Sequence, residues 1–127
     1  MAPTSDSEAK AWLSVEHAAA IESDAALRDL LAPVHRWLNV LSVRNHSPHT
    51  LTAYFAGLNQ LALFLRGKRL TWTRCDKRQL AQHISQRLDE DKLALASVQQ
   101  ELSAIRHFYG WLIEENLARI NPTTGYQ

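Results

Sequence analysis

An all-α fold, a compact bundle of four to five short helices, is what this chain predicts, and three observations predict it. Apolar residues recur at three-and-four spacing in several segments. No long stretch alternates apolar with polar residues, and glycine is scarce, with 4 in 127 residues. That length suits one domain with a real core. A hydrophobic fraction of 46% is too high for wholesale disorder.

The elements follow in order. Residues 1–24 are acidic and alanine-rich; Trp12, Leu13, Val15 and Ile21 suit a weak amphipathic helix in a partly ordered arm. The body, residues 25–120, opens with a helix over about 24–43. Leu27, Leu30, Leu31, Val34, Trp37, Leu38 and Leu41 form its buried stripe. Pro33 should kink it or push its start later. A second helix is expected from Pro48 to about Leu65, with Ser47 as N-cap and Pro48 at the first helical position. Gly57 in its middle costs about 1 kcal/mol relative to alanine, which a close helix or DNA approach would explain. Gly67 is the expected closing residue, and Trp72 falls in a loop where it is expected to be exposed. Asp76 and Gln79 have capping-box spacing for a third helix to about Leu88, with Leu80, Ile84 and Leu88 inward. Residues 89–92 read as a solvated turn. Ser97 and Gln100 repeat the capping-box pattern and are expected to open a fourth helix, burying Val98, Leu102, Ile105, Phe108, Tyr109, Leu112 and Ile113. Asn116 suits a left-handed closing position and Asn121-Pro122 a stop. Residues 121–127 read as the beginning of a linker.

Charge is unevenly spread. Residues 1–33 hold two basic and six acidic groups, net −4, while residues 34–127 hold 12 basic and 7 acidic, net +5. A basic body fits a polyanionic partner. Cys75 stands alone, which excludes an intrachain disulfide, fits a reducing cytosol and reads as a small half-buried residue. No apolar run approaches the ~18–20 residues of a membrane span, and the first residues lack a secretory pattern. A soluble cytoplasmic domain is expected.

The run from Arg44 to Tyr54 carries the functional signal. A helix starting at Ser47-Pro48 points free backbone N–H groups and its positive dipole end forward. Arg44, His46, His49 and Thr50 crowd that end, and a phosphate would satisfy them. On the fourth helix Gln99, Ser103, Arg106 and Gly110 share one stripe, with Gln100 and His107 beside it. Glutamine reads adenine and arginine reads guanine in the major groove; the plain alternative is a solvated helix face. Tyr54 and Tyr109 lie on apolar stripes and read as core, Tyr109 or Tyr54 with its hydroxyl reaching a partner. Tyr126 has no basic constellation beside it. His46-x-x-His49 lacks metal-ligand company, and no catalytic, cofactor or metal motif is present.

In order, Ser47-Pro48-His49-Thr50-Leu51-x-x-Tyr54-x-x-x-Leu58, Leu102-Ser103-Ala104-Ile105-Arg106-x-Phe108-Tyr109-x-Trp111-Leu112 and Asn121-Pro122 resemble the N-terminal core-binding (SAM-like) domain of Xer-type tyrosine recombinases and phage integrases. The likeness covers about residues 30–122. It implies half of a clamp on double-stranded DNA, with the second and fourth helices at the major groove. It also implies other recombinase subunits as partners in a tetrameric synapse. The family's cleaving tyrosine belongs to a catalytic domain beyond the linker, so this stretch is expected to carry no catalytic residue. On this reading Arg44, His49, Thr50 and Lys92 contact phosphates. Gln99, Ser103 and Arg106 read bases, flanked by Gln100 and His107. The helix starts near positions 47 and 97 are expected side by side, facing the duplex.

The pattern is not followed everywhere. Phe55, Ala56 and Gly57 stand where basic residues are usual, Gln100 and Glu101 replace an arginine pair, Lys92 replaces a glycine, and Leu95 falls where a proline is common. A small helical adaptor that docks another protein is the alternative, supported by the acidic arm and four tryptophans.

Overall fold

The computed structural model describes residues 24–125; the arm, with Trp12, and Tyr126 lie outside the described residues. The described residues form four α-helices and one 3₁₀ turn, with no strand. We number them α1 (Ala25–Val43), α2 (Pro48–Lys68), α3 (Lys77–Asp89) and α4 (Leu95–Glu114), with the 3₁₀ turn at Trp72–Arg74.

Helix α1 starts at Asp24, whose Oδ1 accepts the Leu27 N–H at 3.0 Å. That bond, followed by the Arg66 guanidinium on the other carboxylate oxygen, holds the Asp24 carboxyl below its usual range. All seven apolar residues of the expected stripe are buried. Pro33 sits inside the helix without delaying its start. Burial of Leu30, Leu31, Val34 and Trp37 around it outweighs the ~3 kcal/mol that an interior proline costs.

Three helices end in the same local device. Asn45, Arg69 and Asn116 take left-handed φ values of 65°, 59° and 59°. The next N–H in each case returns to a carbonyl five residues back: His46 to Leu41, Leu70 to Leu65 and Leu117 to Leu112. This is the Schellman closure. Asn116 closes α4 as its sequence suggests. Gly67 does not close α2; the helix runs on to Lys68 and Arg69 takes the left-handed position. The reason lies in Leu70, which packs against the core only if the turn falls one residue before it.

The core gathers around Phe108, completely buried on α4. Trp37 of α1 tilts onto it at 5.6 Å between ring centres, and Trp72 meets it edge-on at 4.9 Å. Trp72 is therefore buried, contrary to expectation. Its indole N–H donates to the Leu30 carbonyl at 2.7 Å, and the Tyr109 hydroxyl donates to the Trp72 carbonyl at 2.6 Å. The 3₁₀ turn is thus tied to α1 and α4 by paired polar groups in an apolar setting, where an unpaired one costs about 1–3 kcal/mol. Cys75 lies under the same turn, buried.

Helix α3 opens as its sequence predicts, with Asp76 Oδ1 accepting the Gln79 N–H at 2.9 Å. Leu80 and Ile84 are buried with His83, and Leu88 is half-buried. Ile113, expected inside, is 36% exposed at the surface edge of α4. After α4 the chain folds back: Asn121 Nδ2 donates to the Arg106 carbonyl at 3.2 Å, and Pro122 and Thr123 are buried. Among the described residues no helix is long and apolar enough to cross a membrane.

Candidate nucleic-acid interface

The first turn of α2 is built by local bonds. Ser47 Oγ accepts the Thr50 N–H at 3.1 Å and lies 2.9 Å from the Thr50 hydroxyl. One free donor of the helix start is thereby used, and the others remain open. His46 is fixed from the other side, since its backbone N–H and its Nδ1 both reach the Leu41 carbonyl at 3.1 Å. A carbonyl only accepts, so Nδ1 carries the proton. Arg44 and His49 are exposed and Thr50 half-buried.

The start of α4 is built differently. The helix begins at Leu95 with Ala94 as its cap residue and no side-chain cap. Ser97, expected to cap it, lies inside the first turn. Ala94, Leu95 and Ala96 favour helix, so the helix begins as soon as the preceding turn is complete. That turn passes through Lys92 at φ 57°, where a glycine would sit without strain. Arg87 braces it. Its guanidinium makes two bonds to Glu101, at 3.0 and 2.6 Å, and one to Asp91 at 3.0 Å. The Glu101 bonds, ahead of the Asp91 contact, raise the Arg87 pKa.

Helices α2 and α4 cross at Gly57. A Cβ there would lie 3.3 Å from the Glu101 Cα, so the glycine serves a close helix–helix approach. Tyr54 faces His107 with 6.3 Å between ring centres. Numbers therefore fall along α2 as they rise along α4, and the helices run in opposed senses. The first turn of α2 lies toward the second half of α4, and Arg44 lines a hollow with Trp111, Glu114 and Glu115. The two helix starts are thus not side by side; the expectation that placed them together is corrected by this crossing. What joins them is the outer stripe of α4. Gln99, Gln100, Arg106 and His107 are exposed on it, and Ser103 and Gly110 are half-buried.

Residues 34–116 match the phage integrase N-terminal SAM-like domain. The chain belongs to that family. Over 101 residues, 78% of its length, it is 35% identical to the tyrosine recombinases XerC of Shigella flexneri serotype 5b and of Escherichia coli K12. The aligned stretch covers 34% of each relative. No solved structure matches the chain.

In this integrase-family domain the expected contact residues fall into two groups. Arg44, His49 and Thr50 stand at the α2 end, with Arg106 and His107 nearest to them along α4. Lys92, Gln99 and Gln100 stand at the α4 end, and Ser103 lies between. The Arg87–Glu101 brace escaped the sequence reading because its partners are 14 residues apart on different helices. Its one visible signal was Glu101 itself, an acid where the resemblance leads one to expect an arginine. The fixed ring of His46 was also missed, since only the geometry shows which nitrogen is occupied. Among the described residues no group of three His, Cys, Asp or Glu side chains is placed to hold a metal ion.

Proposed function

We propose that this domain binds double-stranded DNA as the core-binding part of a tyrosine recombinase, placing the outer stripe of α4 in the major groove of a recombination half-site. One observation carries the reading. Arg44, Lys92 and Arg106 take part in no ion pair among the described residues, whereas Arg66 and Arg87 are both paired with carboxylates. Arg28, Arg36, Lys68, Arg69, Arg74, Lys77, Arg78 and Arg119 are likewise unpaired among the described residues, so what marks the α2–α4 face is that Arg44, Lys92 and Arg106 fall at its two ends and on its stripe. From Gln99 to Arg106 the helix rises about 10 Å, close to the ~12 Å width of the major groove. Arg44, His49, Thr50 and Lys92 then meet phosphates on the two sides, while Gln99, Ser103 and Arg106 face base edges with Gln100 and His107 at their flank. Strand cleavage and rejoining, and assembly with further recombinase subunits, belong on this reading to the longer protein that such a domain serves.

Fluorescence anisotropy on duplexes enriched from a random pool tests it. Arg106→Ala should cost about 1–3 kcal/mol and relax sequence preference at one position. Lys92→Ala should weaken all duplexes alike and lower the salt slope by about one. Absence of binding to any duplex at low salt would contradict the proposal. The adaptor alternative has one observation in its favour: Ile113, Leu117 and Ile120, the last 77% exposed, line two adjoining hollows at the C-terminal end of α4, where Ile113 stands two turns beyond Arg106. Binding of a protein partner there, with no duplex bound, would favour it.

A further inference from the structure

From Asn45 to Leu65 the chain contains no Lys, Arg, Asp or Glu. The α2 side of the proposed DNA face therefore has Arg44 as its fixed cation, and its remaining ionisable groups are His46, His49 and the phenol of Tyr54. Across the crossing, the ring facing Tyr54 is again a histidine, His107. All three histidines are exposed.

His46 shows what this does to an anion. Its Nδ1–H is spent on the Leu41 carbonyl at 3.1 Å, so the neutral ring presents only the Nε2 lone pair outward. A phosphate meeting that lone pair is repelled. Protonation turns Nε2 into a charged donor while the bond to Leu41 is kept, and the ring needs no rotation. His49 stands in the first turn of α2, where free N–H groups already favour an anion. The charged neighbours are few. Arg44 lies two residues before His46, Arg106 precedes His107 on α4, and Arg36 of α1 and Arg44 just after it share their hollow with Glu114 at the end of α4 and Glu115 just after it.

We propose that DNA binding by this face is proton-coupled, with His46, His49 and His107 taking up protons as phosphates arrive. The inference rests on the DNA-binding reading above and adds its regulation: affinity rises as pH falls from about 8 to 6.5. By linkage the slope of log affinity against pH equals the number of protons taken up, at most three for these groups. The useful window, about pH 8 to 6.5, avoids interference from folding. Buried His83 is held neutral there in the folded protein, with its pKa lowered to about 4 by burial and then by Arg87.

The test uses the 127-residue chain, a labelled duplex and fixed ionic strength. Anisotropy should show binding at least about fivefold tighter at pH 6.5 than at pH 8. Calorimetry near pH 7, in two buffers of different ionisation enthalpy, should show net proton uptake on binding. The variant combining His46→Gln, His49→Gln and His107→Gln should lose the pH dependence, its affinity at pH 6.5 falling to its own value at pH 8. His46→Arg should bind more tightly at pH 8. If the triple variant fails to fold, the proton count on the parent chain decides alone. Equal affinity at both pH values with no proton uptake overturns the proton coupling and leaves DNA binding standing. No binding at either pH overturns the DNA-binding reading, and this inference with it.

Discussion

The two ends of the α2–α4 face are held by different means. At the α2 end everything that fixes the chain is local: Asn45 turns it, His46 and Ser47 tie it, and Pro48 starts the helix. At the α4 end Lys92 turns the chain under strain and no side chain caps the helix. Order there comes from Arg87, one helix away. A short stretch of sequence can specify the first end alone, whereas the second exists only once α3 and α4 have packed.

The largest effect that could break this contrast is at Arg87. Its side chain is 12% exposed and that of Glu101 13%. Removing one partner strands a half-sequestered charge, so Arg87→Ala should cost about 3 kcal/mol in urea denaturation. It should also leave the amide resonances of residues 44–50 nearly in place while those of 92–100 move. A loss below about 1 kcal/mol would show that the α4 end does not depend on the brace.

One turn before Arg87, His83 gives the next effect. Packed against Phe64 at 5.2 Å between ring centres, with Nε2 unpartnered, it folds neutral. Its folded pKa is lowered to about 4, below the unfolded value of 6.5, so the unfolded chain binds the extra proton between those values. Stability should therefore be fully present above about pH 6.5 and fall by about 2–3 kcal/mol toward pH 4. His83→Leu should flatten that part of the stability profile.

A smaller pair of substitutions sharpens the comparison directly. Ser47→Ala should cost about 1 kcal/mol, because the Thr50 N–H loses its acceptor. Ala94→Ser should gain up to about 1 kcal/mol by supplying the cap that α4 lacks. Equal costs or gains at both ends, measured by thermal unfolding, would erase the asymmetry. Smallest of all, Lys92→Gly should gain about 0.5–1 kcal/mol from the relieved left-handed backbone, while removing one proposed phosphate contact.

The same contrast explains what could be read from the chain itself. The α1 stripe, the Ser47 and Asp76 caps and the Asn116 closure were legible because each is settled within a few residues. Gly67, Trp72 and Ser97 were misread for the opposite reason. Arg69 closes α2 because Leu70 must reach the core. Trp72 is inside because Leu30 and Phe108, far away in sequence, form its seat. Ser97 is bypassed because the turn at Lys92 ends early enough for Ala94 to start the helix. For the candidate site, residue types were visible but not their grouping, since the opposed sense of α2 and α4 follows from the Gly57–Glu101 approach.

Whether DNA sits on the outer stripe of α4 and the two ends it joins can be read from amide chemical-shift mapping of this 14.4 kDa chain during titration with a duplex at low salt. The shifts should gather at residues 44–50, 92 and 99–107. Shifts gathered instead around Ile113, Leu117 and Ile120, with the stripe unmoved, would contradict that placement.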